Sequence, residues 1–283
     1  MISPRLQRGI RLPWQIPTPR SFPAALETPV AVEEEDEKRI RTLSRFGDAD
    51  AQRLARHLAA ADFHENEPTT MASSRFMRLA RIHITERSAE LLEAKMGLQG
   101  LFFVTLIPRN WFIPESQLRG TSVRTLKRQL RGYLHRAGIH DTYGLTIGHI
   151  EAAYCRYPST NDIGFAFHVH LVCEENAREV FERMRISPTF KRTEDIPYPI
   201  RVEPIRDAEL RSVLGYCFKA FWRCRTIHVH PEGLDDVQRS HRYRLPEAAL
   251  CEELLWRESC GLADASIVIG TRGMAQAFRH SWS

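Results

Sequence analysis

"TIGHIEAAYCRYPSTNDIGFAFHVHLV", residues 146 to 172, decides how this chain is read. Two runs rich in β-branched and aromatic residues flank "PSTND", a cluster of turn formers, and the pattern predicts an antiparallel hairpin. Successive side chains of a strand point to opposite faces. In the second strand Phe165, Phe167, Val169 and Leu171 therefore share one face, while Ala166, His168, His170 and Val172 share the other. In the first strand Ile147, His149, Glu151 and Ala153 fall together. Pairing across the turn brings Glu151 toward His168 and His170. Two imidazoles and a carboxylate on one sheet face make a three-ligand set with positions left for water or phosphate, and the mixed N and O donors suit Mg²⁺ or Mn²⁺. Taken alone, His-x-His is more simply a strand with a half-wet face and two satisfied histidines.

Before the hairpin, "LFFVTLI" (101–107) predicts a buried strand that stops at Pro108. In "SVRTLKRQLRGYLHRAG" (122–138) Val123, Leu126, Leu130 and Leu134 have helical spacing, opposite Arg124, Lys127, Arg128 and Arg131. After the hairpin come a helix in "NAREVFERMR" (176–185), a strand in "PIRVEPI" (199–205) and a helix in "DAELRSVLGYCFKAFWRCR" (207–225) with Asp207 as its N-cap. The order strand, helix, strand, strand, helix, strand, helix predicts an α+β fold, a largely antiparallel central sheet with helices packed on one face.

Four segments follow from the pattern. Residues 1–37 are rich in proline and end in an acidic run, which predicts a flexible tail. Residues 38–98 predict an accessory helical region, with a break near Gly47, Asp48 or Asp50 capping the next helix, and a third helix closing at Gly97. The sheet region spans 99–226, and 227–283 is a C-terminal extension with one helix at "EAALCEELLWRE".

Composition narrows the class. The chain has 283 residues, 43% hydrophobic and 27% charged, which suits one globular domain with appended segments rather than disorder or a fibre. Its formal net charge is +5 and arginine dominates the basic residues, a balance compatible with a nucleic-acid partner. The six cysteines form no Cys-x-x-Cys pair and read as reduced core thiols. "MISPRLQRGIRLPWQIPTPR" lacks the apolar core of a signal peptide, and no later run has the length of a membrane span, so a cytoplasmic protein without a membrane partner is expected.

The second chemical feature is "GYCFKAFWR" (215–223). On a helix Tyr216, Lys219 and Arg223 line one side at i, i+3 and i+7, beside an apolar stripe of Leu214, Cys217, Phe218 and Phe221. A phenol has a reference pKa of about 10, and a cation one turn away lowers the cost of forming phenolate and can also hold a phosphate. The plainer meaning is an interfacial tyrosine beside a snorkelling lysine.

Strand "FFVTLIPRN", then "HVH" (168–170) within a strand, then "YCFK" (216–219) in a following helix resembles the ordered motif set of the HUH endonuclease superfamily, most of all its single-tyrosine replication-initiator branch. The resemblance spans roughly residues 101 to 225. It implies an enzyme that nicks and rejoins single-stranded DNA at a specific site, starting rolling-circle replication of a plasmid, phage or similar element. His168 and His170 match the metal-binding pair, Tyr216 the nucleophile that becomes joined to the 5′ side of the nick, and Lys219 its basic partner. Glu151 is expected as the third ligand, with His149 as the alternative. Position 220 is alanine, so no second tyrosine follows one turn on. The partner is then single-stranded DNA at an origin or element end. No phosphate-loop motif is present, so strand separation would need a host helicase.

Arg124, Lys127, Arg128, Arg131 and Arg223 are candidate contacts to the DNA backbone, against a merely solvated basic face. A second "HVH" at 228–230 runs into Pro231, comes after the tyrosine motif, and is set aside as a decoy. A transposase or relaxase of the same superfamily is an alternative within this chemistry. Outside it, a non-catalytic basic nucleic-acid-binding protein would use the histidines only to stabilise its sheet.

Overall fold

The computed structural model describes residues 28–46, 48–60, 70–96, 100–139, 144–157, 159–206, 209–219, 223–225 and 245–270. Three helices come first: α1 (Pro29–Arg45), α2 (Ala49–Ala60) and α3 (Ser74–Met96). Asp48 caps α2, accepting from Ala51 N at 2.8 Å, as a helix start after Gly47 requires. The acidic run assigned to the tail instead lies inside α1. Its Asp36 is 2% exposed and accepts from Ser74 N, Ser73 Oγ and Arg75 Nε at 2.5, 2.9 and 2.8 Å. Composition argued for solvation, but with Arg75 N also donating at 3.4 Å this one carboxylate gains four donors at the start of α3, enough to offset its desolvation.

The sheet region then runs β1 (Leu101–Leu106), β2 (Phe112–Pro114), α4 (Val123–Arg136), β3 (Thr146–Arg156), β4 (Ile163–Glu174), α5 (Arg178–Met184), β5 (Ile200–Pro204), α6 (Leu210–Cys217) and β6 (Arg223–Arg225). It is followed by α7 (Glu247–Ser259), α8 (Leu262–Ala265) and β7 (Ser266–Ile269). Seven strands form one sheet in the order β5-β1-β4-β3-β6, with β2 on β4 and β7 on β3. Every pairing is antiparallel except β3 with β6. The fold is thus α+β with a largely antiparallel central sheet, as the element order predicted.

The hairpin closes as its turn chemistry demands. Asn161 has φ 63°, a left-handed conformation that asparagine tolerates, and its N donates to Tyr157 O at 2.7 Å. That turn fixes the register, pairing Glu151 with His168 and His149 with His170. The opposite face carries Phe165, Phe167, Val169 and Leu171, all fully buried. Trp256 of α7 packs on Phe167 with ring centroids 5.3 Å apart.

Helices cover both faces rather than one. The histidine face is not wholly wet, because α6 packs on β3 and β4 there and buries Leu214, Cys217 and Phe218. Nor is the segment after 226 a mere extension. Strand β7 completes β3 along Thr146–His149, and Cys251, Leu254 and Leu255 of α7 form a second core with Leu43, Leu54 and Leu58 of the N-terminal helices. Asp207 and the second "HVH" at 228–230 lie outside the described residues. None of the six cysteines forms a disulfide. No helix among the described residues is long and apolar enough to cross a membrane.

Candidate metal centre

Glu151, His168 and His170 offer ligand atoms that all lie within 4.8 Å of one another. Nε2 of His168 and Nε2 of His170 each stand 3.7 Å from Glu151 Oε2. All three side chains are buried, Glu151 completely. Each imidazole is oriented through its far nitrogen. Nδ1 of His168 lies 3.1 Å from Ala166 O, and Nδ1 of His170 lies 3.0 Å from Thr105 Oγ1 on the neighbouring strand. When those nitrogens carry the proton and donate, both Nε2 lone pairs face the carboxylate, the arrangement metal-ligating histidines use.

Glu151 sits where a carboxylate is costly unless a cation balances it. Burial pushes its pKa up, against the pull of Lys219, Arg257 and Arg81. The Lys219 ammonium touches Oε2 directly, whereas Oε1 accepts no hydrogen bond. The Lys219 ammonium thus balances the carboxylate on the oxygen that both imidazoles face, a contact that a bound ion would displace, while Oε1 remains a buried acceptor to spare. Two imidazole nitrogens and a carboxylate oxygen form a donor set for a metal ion. His149, the alternative third ligand, lies outside this convergent group. Its ring packs against Phe218 at 5.3 Å, and burial, helped by the charge of Arg257, pushes its pKa down to about 3. An imidazole kept neutral by burial and packed against a core phenylalanine is a packing residue.

Tyr216 stands beside the cluster. Its ring centroid is 5.0 Å from that of His170 and 5.9 Å from that of Phe103, while Phe103 stacks on His170 at 5.3 Å. A cleft of about 360 Å³ opens at this point, lined by Tyr216, His168, His170, Thr105, Tyr198 and Arg201 among others. The helical stripe expected for Tyr216, Lys219 and Arg223 does not exist. Helix α6 ends at Cys217, Phe218 leaves helical geometry at φ −114°, ψ 33°, and Arg223 lies in β6 beside Ala153. Phe218 is fully buried against His149, so the chain turns inward there instead of completing another turn. Lys219 nevertheless reaches the same place from beyond the helix end, its Nζ 4.3 Å from the Tyr216 ring centroid. The side chain of Arg223 lies outside the described residues.

The other basic candidates are elsewhere. Arg124 pairs with Asp264 at 3.0 Å, Lys127 donates to Ala263 O at 2.7 Å, and Arg128 reaches Thr125 Oγ1 at 3.5 Å. None of these, nor Arg131, lines the cleft. Sequence reasoning missed Thr105, Phe103, Arg81 and Arg257. Thr105 and Phe103 were visible as alternate positions of a predicted strand, but their relevance needs the pairing of β1 with β4, which no short-range pattern announces. Arg81 and Arg257 are interior residues of helices, with no local mark of their approach to Glu151. Compared with models of known families, with curated proteins and with solved structures, the chain matches none.

Proposed function

We propose that the protein is a metal-dependent nuclease and strand transferase for single-stranded DNA that works through a 5′-phosphotyrosine intermediate and starts rolling-circle replication of a plasmid, phage or similar element. The observation that carries this reading is the meeting of Glu151, His168 and His170 with the ring of Tyr216 and the ammonium of Lys219, next to a cleft that His168, His170 and Tyr216 line. The motif order that resembles HUH endonucleases supports it independently of the geometry.

Glu151, His168 and His170 would hold Mg²⁺ or Mn²⁺, which supplies Lewis-acid polarisation of the scissile phosphate. Tyr216 Oη attacks phosphorus, a bond forms between that oxygen and the 5′ phosphate, and the bond from phosphorus to the 3′ oxygen breaks. The phenol gives up its proton as the new bond forms, and in net terms that proton passes to the departing 3′ oxygen, which ends as a free 3′-hydroxyl. Lys219 stands against the Tyr216 ring, where its charge opposes the negative charge developing across the phenol and phosphate oxygens. Thr105 and the Ala166 carbonyl keep both imidazoles turned toward the carboxylate. Because the ester conserves the phosphodiester linkage, a new 3′-hydroxyl can reverse the step and rejoin the strand.

The test is an adduct assay. Wild-type protein incubated with Mn²⁺ and origin-bearing single strands labelled at the 3′ end acquires the label covalently, and Tyr216→Phe does not, while still binding the oligonucleotide. An adduct that survives in Tyr216→Phe would falsify the nucleophile. If no oligonucleotide is cut and His168→Ala and His170→Ala bind DNA as wild type does, the protein is a non-catalytic binder.

A further inference from the structure

Tyr198 occupies the middle of "IPYPI" (196–200) and is 61% exposed at the mouth of the cleft that holds His168, His170 and Tyr216. A single exposed aromatic ordinarily needs no explanation. This one is displayed on a segment fastened on both sides. Thr193 N donates to Ile196 O at 3.1 Å, Ile196 N donates to Thr193 Oγ1 at 3.0 Å, and Ile107 N donates to Pro199 O at 2.8 Å. Asp195 accepts from Ser159 N at 3.0 Å, tying the segment to the turn of the central hairpin. Ile196 is 3% exposed and anchors the segment in the protein, and Pro197 and Pro199 fix the backbone on each side of Tyr198. The ring is held out before any ligand arrives, so little ordering cost accompanies a contact with it.

Its surroundings define what it would meet. The Arg192 guanidinium lies over the ring, 5.9 Å from the centroid. Arg201 lines the same cleft and is paired with Glu203 at 2.7 Å. A rigid aromatic face beside guanidinium groups recognises a flat π-system carried next to a phosphate, and a base stacked inside a duplex has no free face to offer. We propose that Tyr198 is a stacking platform for one unpaired base of a DNA strand, with Arg201 on an adjacent phosphate, so that the strand lies across the cleft beside the metal ligands. The polymer is taken as DNA on the strength of the strand-nicking reading, and this inference rests on that reading to that extent.

The experiment is fluorescence anisotropy of full-length protein with a fluorescein-labelled oligothymidine, in EDTA so that neither metal nor cleavage enters. Tyr198→Ala should weaken binding on the order of 10-fold, within the range given by losing one base–aromatic stack. Tyr198→Phe keeps the ring and should stay within about twofold of wild type. A 2-aminopurine in the oligonucleotide should be quenched by wild type and by Tyr198→Phe, but not by Tyr198→Ala. The side chain is exposed, so melting temperatures of all three should coincide. Equal affinity of wild type and Tyr198→Ala overturns the platform, as does Tyr198→Phe losing as much as alanine. The two readings fail separately. Nicking by wild type with undiminished binding by Tyr198→Ala removes the platform alone, and Tyr198-dependent binding with no adduct removes the nicking site alone.

Discussion

His170 is held from two sides, by Thr105 Oγ1 at its Nδ1 and by the Phe103 ring stacked 5.3 Å away. Removing the hydroxyl while keeping the shape isolates the first of these. Thr105→Val should lower Mn²⁺ affinity about 10-fold by titration calorimetry, with the fold unchanged in circular dichroism, because outer partners of ligating histidines commonly contribute that much. Unchanged affinity would mean that the stack alone orients the ring. At this scale the alternation of strand faces made most of the site legible: Glu151, His168 and His170 were assigned to one face from period-2 spacing, and the register places them there. Lys219 was named for the wrong geometrical reason. A Tyr-x-x-Lys spacing suggests one helix face, yet the lysine lies beyond the helix end and arrives by a change of chain direction.

Between elements, the close approach of β3 and β4 depends on Gly148. A Cβ at this position would collide with the His170 carbonyl and crowd the Leu171 side chain, both on the strand that carries His168 and His170. Backbone cannot move aside as a flexible side chain can. Gly148→Ala should therefore cost about 1–3 kcal/mol, the range for overpacking a filled interior, and weaken metal binding along with stability. Denaturant melts with and without Mn²⁺ check it, and a variant as stable as wild type would show that the strands part without penalty. Long periodic elements such as α4 and the central hairpin were readable, since each carries its own hydrophobic signature. The three-residue strands β2 and β6 were not, because so short a run is defined by its partner and not by its own pattern.

The whole molecule is joined by charges that sequence distance concealed. Arg119 bonds Asp48 and Glu252, each at 2.7 Å, linking the start of α2 to α7 across the segment that follows β2. The Ala51 amide and Arg119 hold the Asp48 carboxyl below its usual 3.8. A depressed folded pKa stabilises above the unfolded value and is lost as pH falls through the folded one. Asp48→Asn keeps a capping oxygen but cannot titrate, so its melting temperature should fall less steeply than wild type between about pH 5 and about pH 2. With Asp48 41% exposed, solvent screening keeps the effect under about 1 kcal/mol, and parallel acid limbs in the two proteins would dismiss it. Domain boundaries drawn from composition missed this joining, since the N-terminal helices and α7 share a core that exists only in three dimensions. The placement of β7 has a consequence for synthesis. The β3 edge from Thr146 to His149 stays open on the ribosome until Ser266 to Ile269 emerge, so nascent or truncated chains expose an open strand edge near Glu151. Chains stopped after α7 should accordingly self-associate through that edge, whereas chains that carry β7 close it themselves.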